Sequence, residues 1–369
     1  MDKSYLKYPK RQYGQDHDFY KWELSKDRPK LKWEGGAKVA ICFIVPLEFF
    51  PLNPSGVPFK HPGTMVTPYP DLRHFTVRDY GNRVAVYRLL EAFENAGVKA
   101  TFAVNGDIFE RNSPLIHTLS QHEIGLHGIS TNDIHHEGLS LTEEQTLISQ
   151  TRHLADLRFR LKSDIPRKRM SLLEGQPGYT PRKGDVVLGD QSYTGSDGKQ
   201  MTTCYAYGDK NRTEWKLDVY NREIENTPYN GWMSPARNQS SRTLDLLAKS
   251  GFRFCLDWEI DQVPVMAKTG HGDITLIPNS YELSDFTLLH TRRQSEESWL
   301  KQVTDSIDLL VEEYDRYGAQ MLGLTLTPYV IGQPFRIWAL RELLSRISGR
   351  SDVAILTAGQ IDQQFREQL

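Results

Sequence analysis

The run Lys38-Val-Ala-Ile-Cys-Phe-Ile-Val45 constrains the fold of this chain more than any other stretch. It is apolar without interruption and rich in β-formers. A strand with one wet face alternates apolar and polar residues, so an unbroken run fits a strand buried on both faces of a parallel sheet. Parallel strands need helical crossovers, and the following sequence supplies them. From Tyr80 to Ala96 the positions Val86, Leu89, Leu90 and Phe93 recur at helical spacing, and Gly97 ends the pattern as a C′ glycine. Lys99-Ala-Thr-Phe-Ala-Val104 reads as the next strand, and Ser113-Pro114 opens a short helix with proline at its first position. Glu123-Ile-Gly-Leu126 is a further strand that runs straight into His127. Ser140-Leu-Thr-Glu143 has capping-box spacing and starts a helix reaching about residue 160. This strand–helix rhythm predicts a parallel sheet with right-handed crossovers.

The rhythm breaks over residues 160–228. That stretch is rich in Lys, Gly, Tyr, Asp and Thr, and 189–198 carries turn and hairpin chemistry. The rhythm resumes at Trp232, with a helix from Arg242 to Ser250, a strand Phe252–Leu256 and a long amphipathic helix from Glu297 to Tyr314. A strand Gly323–Leu326, a helix over 336–347 and a strand Val353–Leu356 follow. Residues 51–77 carry Pro, Gly and His and read as a long loop. The chain therefore divides into an N-terminal arm, 1–35, that packs on a surface, and a barrel, 36–369, interrupted by an inserted hairpin and loop segment, 159–228.

Lys+Arg number 45 and Asp+Glu 47, a formal net charge of −2. No basic excess points to nucleic acid or an anionic membrane surface. The N-terminus has no apolar signal core, and no window nears the ~20 apolar residues of a membrane helix. Cys42, Cys204 and Cys255 are far apart and odd in number, which suits reduced thiols. A cytoplasmic location is the resulting expectation.

Several predicted strands end in polar groups: Glu48, Asn105 with Asp107, His127, Ser234 with Arg237, Asp257 with Asp261, and Thr327. In a parallel α/β barrel these ends converge on one mouth, where active sites lie. Each also has a structural reading, Glu48 as a solvated acid, His127 as a satisfied core histidine, Asp257 as a turn cap. Their convergence is the stronger signal. His135-His136 beside Asp133 lies in loop-like sequence and reads as surface. No GxGxxG, P-loop, HExxH or GxSxG occurs.

These residues resemble the polysaccharide deacetylase (NodB-homology) superfamily, and more closely its cytoplasmic branch containing metal-independent allantoinase and cyclic imide hydrolase. The resemblance is carried by Val45-Pro-Leu-Glu48-Phe, Arg78-Asp-Tyr-Gly-Asn-Arg83, Lys99-Ala-Thr-Phe, and Glu123-Ile-Gly-Leu-His127-Gly128. It continues in Trp232-Met-Ser-Pro235, Asp257-Trp258, Ile277-Pro-Asn-Ser-Tyr-Glu282-Leu-Ser-Asp285 and Pro328-Tyr-Val-Ile-Gly-Gln-Pro-Phe-Arg336. It covers roughly residues 30–158 and 229–365. It implies a distorted (β/α)7-type barrel and hydrolysis of an amide, cyclic amide or N-acyl group.

Two departures from the family pattern bear on chemistry. The extracellular deacetylases hold a divalent metal with an Asp-Asp pair and an H-x-x-x-H pair. Here Leu47-Glu48 replaces the first and Thr131 the second histidine. Three protein ligands are the norm for catalytic zinc, so no metal cofactor is expected, a weakly bound divalent ion such as zinc being the alternative. Relatives also place a His before the Pro of the Pro-x-x-Ile-Gly-Gln-Pro motif as the acid for the leaving nitrogen. Thr327 stands there and cannot titrate near neutrality.

The resemblance thus implies a catalytic set of Glu48, its base character raised by burial among Phe43, Phe49 and Trp258, with His127 and Asp257. Asn105, Arg237, Trp258, Glu282 and Thr327 are the expected substrate contacts. The expected partner is a small-molecule substrate, with no nucleic acid and no membrane, and a homo-oligomer is expected. The alternatives are a non-catalytic ligand-binding member of the family, since Thr327 replaces the acid, and a metal-dependent N-deacetylase of a sugar.

Overall fold

The computed structural model describes residue 17 and residues 19–54, 68–159, 186–194, 200–206, 214–219 and 229–369; for 113, 156–159, 186–194, 200–206 and 214–219 it describes the backbone. The strands are β1 (Val39–Leu47), β2 (Thr101–Val104), β3 (Glu123–Leu126), β4 (Val186–Thr194), β5 (Gln200–Ala206), β6 (Glu214–Val219), β7 (Gly231–Trp232), β8 (Phe254–Cys255), β9 (Val265–Thr269), β10 (Gly272–Leu276), β11 (Gln320–Thr325) and β12 (Val353–Ile355).

The main sheet runs β11-β1-β2-β3-β7-β8-β10-β9, with β12 also paired to β1. Every pair is parallel except β10 with β9. Just beyond β10 the chain returns to β11 through a parallel bridge between Ser280 and Leu324, where the Ser280 N–H donates to the Gly323 carbonyl. That bridge closes β1, β2, β3, β7, β8, β10 and β11 into a distorted barrel. Gly323 permits the closure. A Cβ there would lie 2.1 Å from the Pro278 carbonyl oxygen, so any side chain would force the seam apart. The pairing is uneven. β1 meets β11 over six residue pairs, Val39↔Gln320 through Ile44↔Thr325, whereas β3 meets β7 only at Leu126↔Trp232.

Alternate residues of β1 serve two different cores, as the period of two along a strand requires. Val39, Ile41, Phe43, Val45 and Leu47 pack outward, where the helices Val86–Ala96, Glu296–Glu312 and Ile337–Ile347 contribute Leu89, Phe93, Trp299, Val303, Leu340 and Leu343. Ala40, Cys42 and Ile44 belong to a second cluster with Ala103, Met233, Phe254, Leu256, Ile277 and Met321, which fills the barrel. This two-sided burial is why the run at 38–45 carries no polar alternation. The inward row of β1 continues through Pro46 to Glu48. The same parity runs from Ala103 to Asn105, from Gly125 to His127, and from Met321 to Thr327. Glu48, Asn105, His127 and Thr327 thus end in-facing rows at the barrel's C-terminal mouth, whereas Ser234 and Asp257 continue the outward parity of Trp232 and Cys255.

The opposite end is stoppered. Trp33 is buried there, and its indole N–H donates to the Gln320 carbonyl at 2.7 Å. Glu123 accepts from the Gly359 N–H at 2.9 Å and from the Thr101 hydroxyl at 2.7 Å, tying the terminal helix Ala358–Arg366 beneath β2 and β3. The segment before residue 36 is therefore more than a surface arm over its described part, because Leu31 and Trp33 enter the core.

Several boundaries differ from the expectation. Residues 55–67 lie outside the described residues, but the predicted loop ends early: Leu72–Tyr80 is a helix, capped by Asp71, whose carboxylate accepts from the Arg73 and His74 N–H groups. It passes through a single π turn, Gly81–Ala85, into Val86–Ala96. Arg78 therefore sits inside a helix rather than opening one. β9 and β10 form an antiparallel hairpin where the rhythm implied none. Within the inserted stretch, β4, β5 and β6 form an antiparallel sheet of their own. Residues 189–194, expected as turn, belong to β4, with a register irregularity between Leu188 and Ser192. The connection at 195–199 lies outside the described residues.

Candidate active site

A pocket opens at the mouth, lined by Pro46, Glu48, His127, Met233, Ala236, Arg237, Tyr281, Ser284, Phe286, Thr325, Thr327 and Tyr329. At its base His127 Nε2 lies 3.5 Å from Glu48 Oε1, with the imidazole 1 % and the carboxylate 11 % exposed. The other ring nitrogen fixes the tautomer. His127 Nδ1 lies 2.8 Å from the Met233 carbonyl oxygen, which can only accept, so Nδ1 carries the hydrogen. The neutral ring then turns a lone pair on Nε2 toward a carboxylate. Two acceptors repel unless a proton, or a bridging water, stands between them. The arrangement can therefore accommodate one proton, or one water, between the two groups.

Glu48 is surrounded differently from the expectation. Phe43 faces the outer core and packs on Phe93 at a centroid distance of 5.6 Å, and Trp258 packs edge-on against Phe19 and Tyr20. Neither borders the pocket. Its apolar walls come from Pro46, Met233, Phe286 and Tyr329 instead. Burial pushes the Tyr329 phenol up, and the Glu48 carboxylate adds to that shift, so Tyr329 stays neutral beside the acid.

The segment 233–239 carries the next group. Ala236 and Arg237 have φ of 55° and 54°, consecutive left-handed residues that are not glycine. Such a conformation costs about 1–2 kcal/mol per residue and persists only where its surroundings enforce it. Here they do. The Ser234 N–H donates to Asp257 Oδ1 at 2.7 Å, the Arg237 N–H to the Ser234 carbonyl at 2.8 Å, and Asn238 Nδ2 to the His135 carbonyl at 2.6 Å. Gly128, with φ of 66°, lies so close to Pro235 that a Cβ would sit 2.4 Å from its Cγ. The clamped turn holds Arg237 on the pocket wall. Its Nε donates to the Asp257 carbonyl at 3.1 Å and its Nη2 to the Asn279 carbonyl at 2.6 Å.

Thr327 is buried on the opposite wall. Its N–H donates to both oxygens of Asp285 at 2.9 Å, and Asp285 also accepts from the Phe286 and Ile331 N–H groups. Asp285 thereby caps the short helix Pro328–Ile331 from behind the pocket. Burial pushes its carboxyl up to about 7, against the lowering effect of those N–H donors.

The remaining predicted residues do not enter the pocket. Asn105 spends its amide on the backbone, accepting from the Phe49 N–H at 2.8 Å and donating to the His127 carbonyl. Asp257 divides its carboxylate between Ser234 N–H and the Gln239 amide. Both hold the frame that presents Glu48, His127 and Arg237. Trp258 donates its indole N–H to Gln239 Oε1 at 3.0 Å. Glu282 is exposed on the rim and paired with Arg292 at 2.5 Å.

The histidine read as surface is not. His135 is fully buried, its Nδ1 3.2 Å from Glu144 Oε1, and Glu144 also accepts from the Ser240 hydroxyl at 2.6 Å and the Thr243 hydroxyl at 2.5 Å. Burial alone would raise the Glu144 carboxyl, but these hydrogen bonds hold it below the usual carboxylate range. The network ties the loop after His127 to the turn bearing Arg237. Its sequence trace is Glu144 in the first turn of the helix Leu141–Phe159, where an acid ordinarily faces water.

The donor set does not fit a metal of the deacetylase kind. Among the described residues no group of three or more His, Cys, Asp or Glu is placed to hold an ion. Among the described residues at the mouth, Glu48 and His127 Nε2 are the groups that could ligate, and Thr131 turns its hydroxyl to the Phe49 carbonyl at 3.0 Å. Two ligands fall short of the three that catalytic zinc takes from protein.

No family model and no curated protein matches the chain. Solved structures do. A structure described as a polysaccharide deacetylase from Pseudomonas aeruginosa PAO1 superposes with a TM-score of 0.62 at 18% identity, over 92% of this chain and 95% of that one. One so described from Mycobacterium smegmatis gives 0.61 at 18% identity, over 92% and 94%. PuuE allantoinase gives 0.63 at 16% identity, over 98% of each chain. The chain has the polysaccharide deacetylase-type barrel fold that these proteins share. Among the described residues no helix is long and apolar enough to cross a membrane.

Proposed function

We propose that the protein is a hydrolase of non-peptide carbon–nitrogen bonds in a small amide, imide or ureide. The observation that carries this reading is the Glu48–His127 pair, 3.5 Å apart in the pocket. A carboxylate beside an imidazole of fixed tautomer suits activation of water. Glu48 takes a proton from the water as its oxygen adds to the carbonyl carbon. His127 Nε2, when protonated, donates to the oxyanion that forms. The C–N bond then breaks, and the proton held by Glu48 is available to the leaving nitrogen. The allantoinase whose fold the chain shares supports a substrate of the ureide class, and the two-ligand donor set supports water activation by the carboxylate rather than by a metal.

Thr327 supplies no leaving-group acid. A cyclic imide or an acylated ureide leaves as a stabilised anion and needs protonation less than a plain N-acetyl group does. We therefore expect succinimide and hydantoin to be hydrolysed faster than N-acetylglucosamine. Steady-state kinetics on the three, with Glu48→Gln as control, test this. Faster turnover of the N-acetyl sugar refutes the substrate argument. Binding of imides without turnover, gained only in Thr327→His, favours a ligand-binding protein.

A further inference from the structure

We infer that Arg237 anchors an anionic group of the ligand, so that the molecule this pocket accepts carries a carboxylate or comparable oxyanion at the end away from the scissile bond. The hydrolase reading above is assumed for the reacting end only; the binding argument stands apart from it.

Arg237 lines the pocket, and its recorded hydrogen bonds go to two neutral main-chain oxygens, Asp257 O and Asn279 O. No carboxylate among the described residues lies within ion-pair distance of it, whereas Arg28, Arg336 and Arg350 are each paired with an acid. The nearest acid in the sequence frame, Asp257, offers Arg237 its carbonyl and gives its carboxylate to Ser234 N–H and Gln239. The cation is thus held in place by neutral groups and left without a contacting counter-charge. Burial works against that charge and lowers its proton affinity, which the more distant Asp257 and Glu259 offset in part. A partly buried guanidinium in this condition gains most from an anion that it can grip with its remaining N–H groups.

The backbone points the same way. Two successive left-handed non-glycine residues are held by Asp257, His135 and the Gly128–Pro235 contact. Strain at a pocket wall, enforced by several independent contacts, is the pattern of a positioned ligand group. Glu48 stands in the same pocket with opposite charge. A ligand with an anionic tail is drawn to Arg237 and repelled from Glu48, so its uncharged amide is the end that meets the Glu48–His127 pair.

Calorimetry with N-carbamoylglycine and N-carbamoylglycinamide, which differ in charge and little in shape, tests the anchor. The acid should bind at least about tenfold tighter than the amide. Arg237→Gln should abolish that preference, and Arg237→Lys should retain part of it. A melting temperature close to that of the native protein shows that the turn has kept its fold. Equal affinity of the native protein for the two probes, binding of neither, or a preference that survives Arg237→Gln overturns the inference. Charge-dependent binding without turnover leaves the anchor standing and removes the hydrolase reading instead.

Discussion

The Met233 carbonyl oxygen, 2.8 Å from His127 Nδ1, determines what the opposite side of the imidazole can offer to Glu48. Because the carbonyl cannot donate, the proton that moves in this pocket has to be on Nε2, on Glu48, or on a water between them. The pair works as one unit, and its parts are separable by mutation.

Glu48→Gln keeps the size of the side chain and removes the base. Turnover should fall about 10²–10⁴-fold, the usual worth of general base catalysis. The Glu48 carbonyl, which accepts from Asn82 Nδ2 at 2.7 Å, is untouched, so the melting temperature should hardly move. A large loss of stability with activity retained would make Glu48 structural.

Gly128→Ala should destabilise the protein by about 1–3 kcal/mol, since the new methyl meets Pro235 and the residue must keep a positive φ. Denaturant unfolding measures the loss. Pro235→Ala in the same chain should recover part of it, and no recovery would place the cost elsewhere.

Asp285 gives stability a pH dependence of definite sign. Its carboxyl titrates near 7 in the fold and near its ordinary value of 3.8 in the unfolded chain. The folded state therefore binds the proton more tightly between those limits. The contribution of Asp285 is fully present below about pH 4 and is lost as the pH rises to about 7. Asp285→Asn should flatten this fall. It should also lower absolute stability by about 1–3 kcal/mol, because an amide nitrogen would face backbone N–H donors. Unfolding curves at pH 4, 5.5 and 7 that keep the same slope in both proteins would assign the pH dependence to other groups.

Thr327→His keeps the main-chain N–H that donates to Asp285 but gives up the threonine hydroxyl's own bond to that carboxylate, so some loss of stability should accompany it. An imidazole there would supply the missing acid, raising turnover of plain amides by up to about 10²–10⁴-fold while changing that of imides far less. Equal gains on both substrate types would contradict a role in leaving-group protonation.

The barrel was legible where burial is two-sided. The run at 38–45 fitted a strand buried on both faces, and once β1 was placed, its parity led to Glu48. The two-residue strands β7 and β8 leave little periodicity to read, and Phe252–Leu256 shrank to Phe254–Cys255. The helix Leu72–Tyr80 hid behind its own composition, three charged residues and a histidine in a stretch introduced by prolines. Within the site, residues announced by local apolar runs were found at the mouth. Those whose work is to hold distant backbone, Asn105 and Asp257, look identical in sequence to ligand contacts. Asp285 caps a helix that begins 42 residues later, and Glu144 reaches Ser240 across 96. No local pattern encodes such pairings.

The single residue pair joining β3 to β7 makes that joint as thin as the Ser280–Leu324 seam. The β3–β7 joint is spanned by the Met233 N–H, which donates to Leu126 O at 2.9 Å, and by the bond from His127 to Met233 O. The imidazole is thus a rivet between the end of β3 and the residue after β7. Were β7 to swing away from β3, the ring would lose its tautomer at the same instant that the wall bearing Arg237 withdrew. The joint between β3 and β7 and the tautomer of His127 thus rest on the same short stretch of backbone, 232–233.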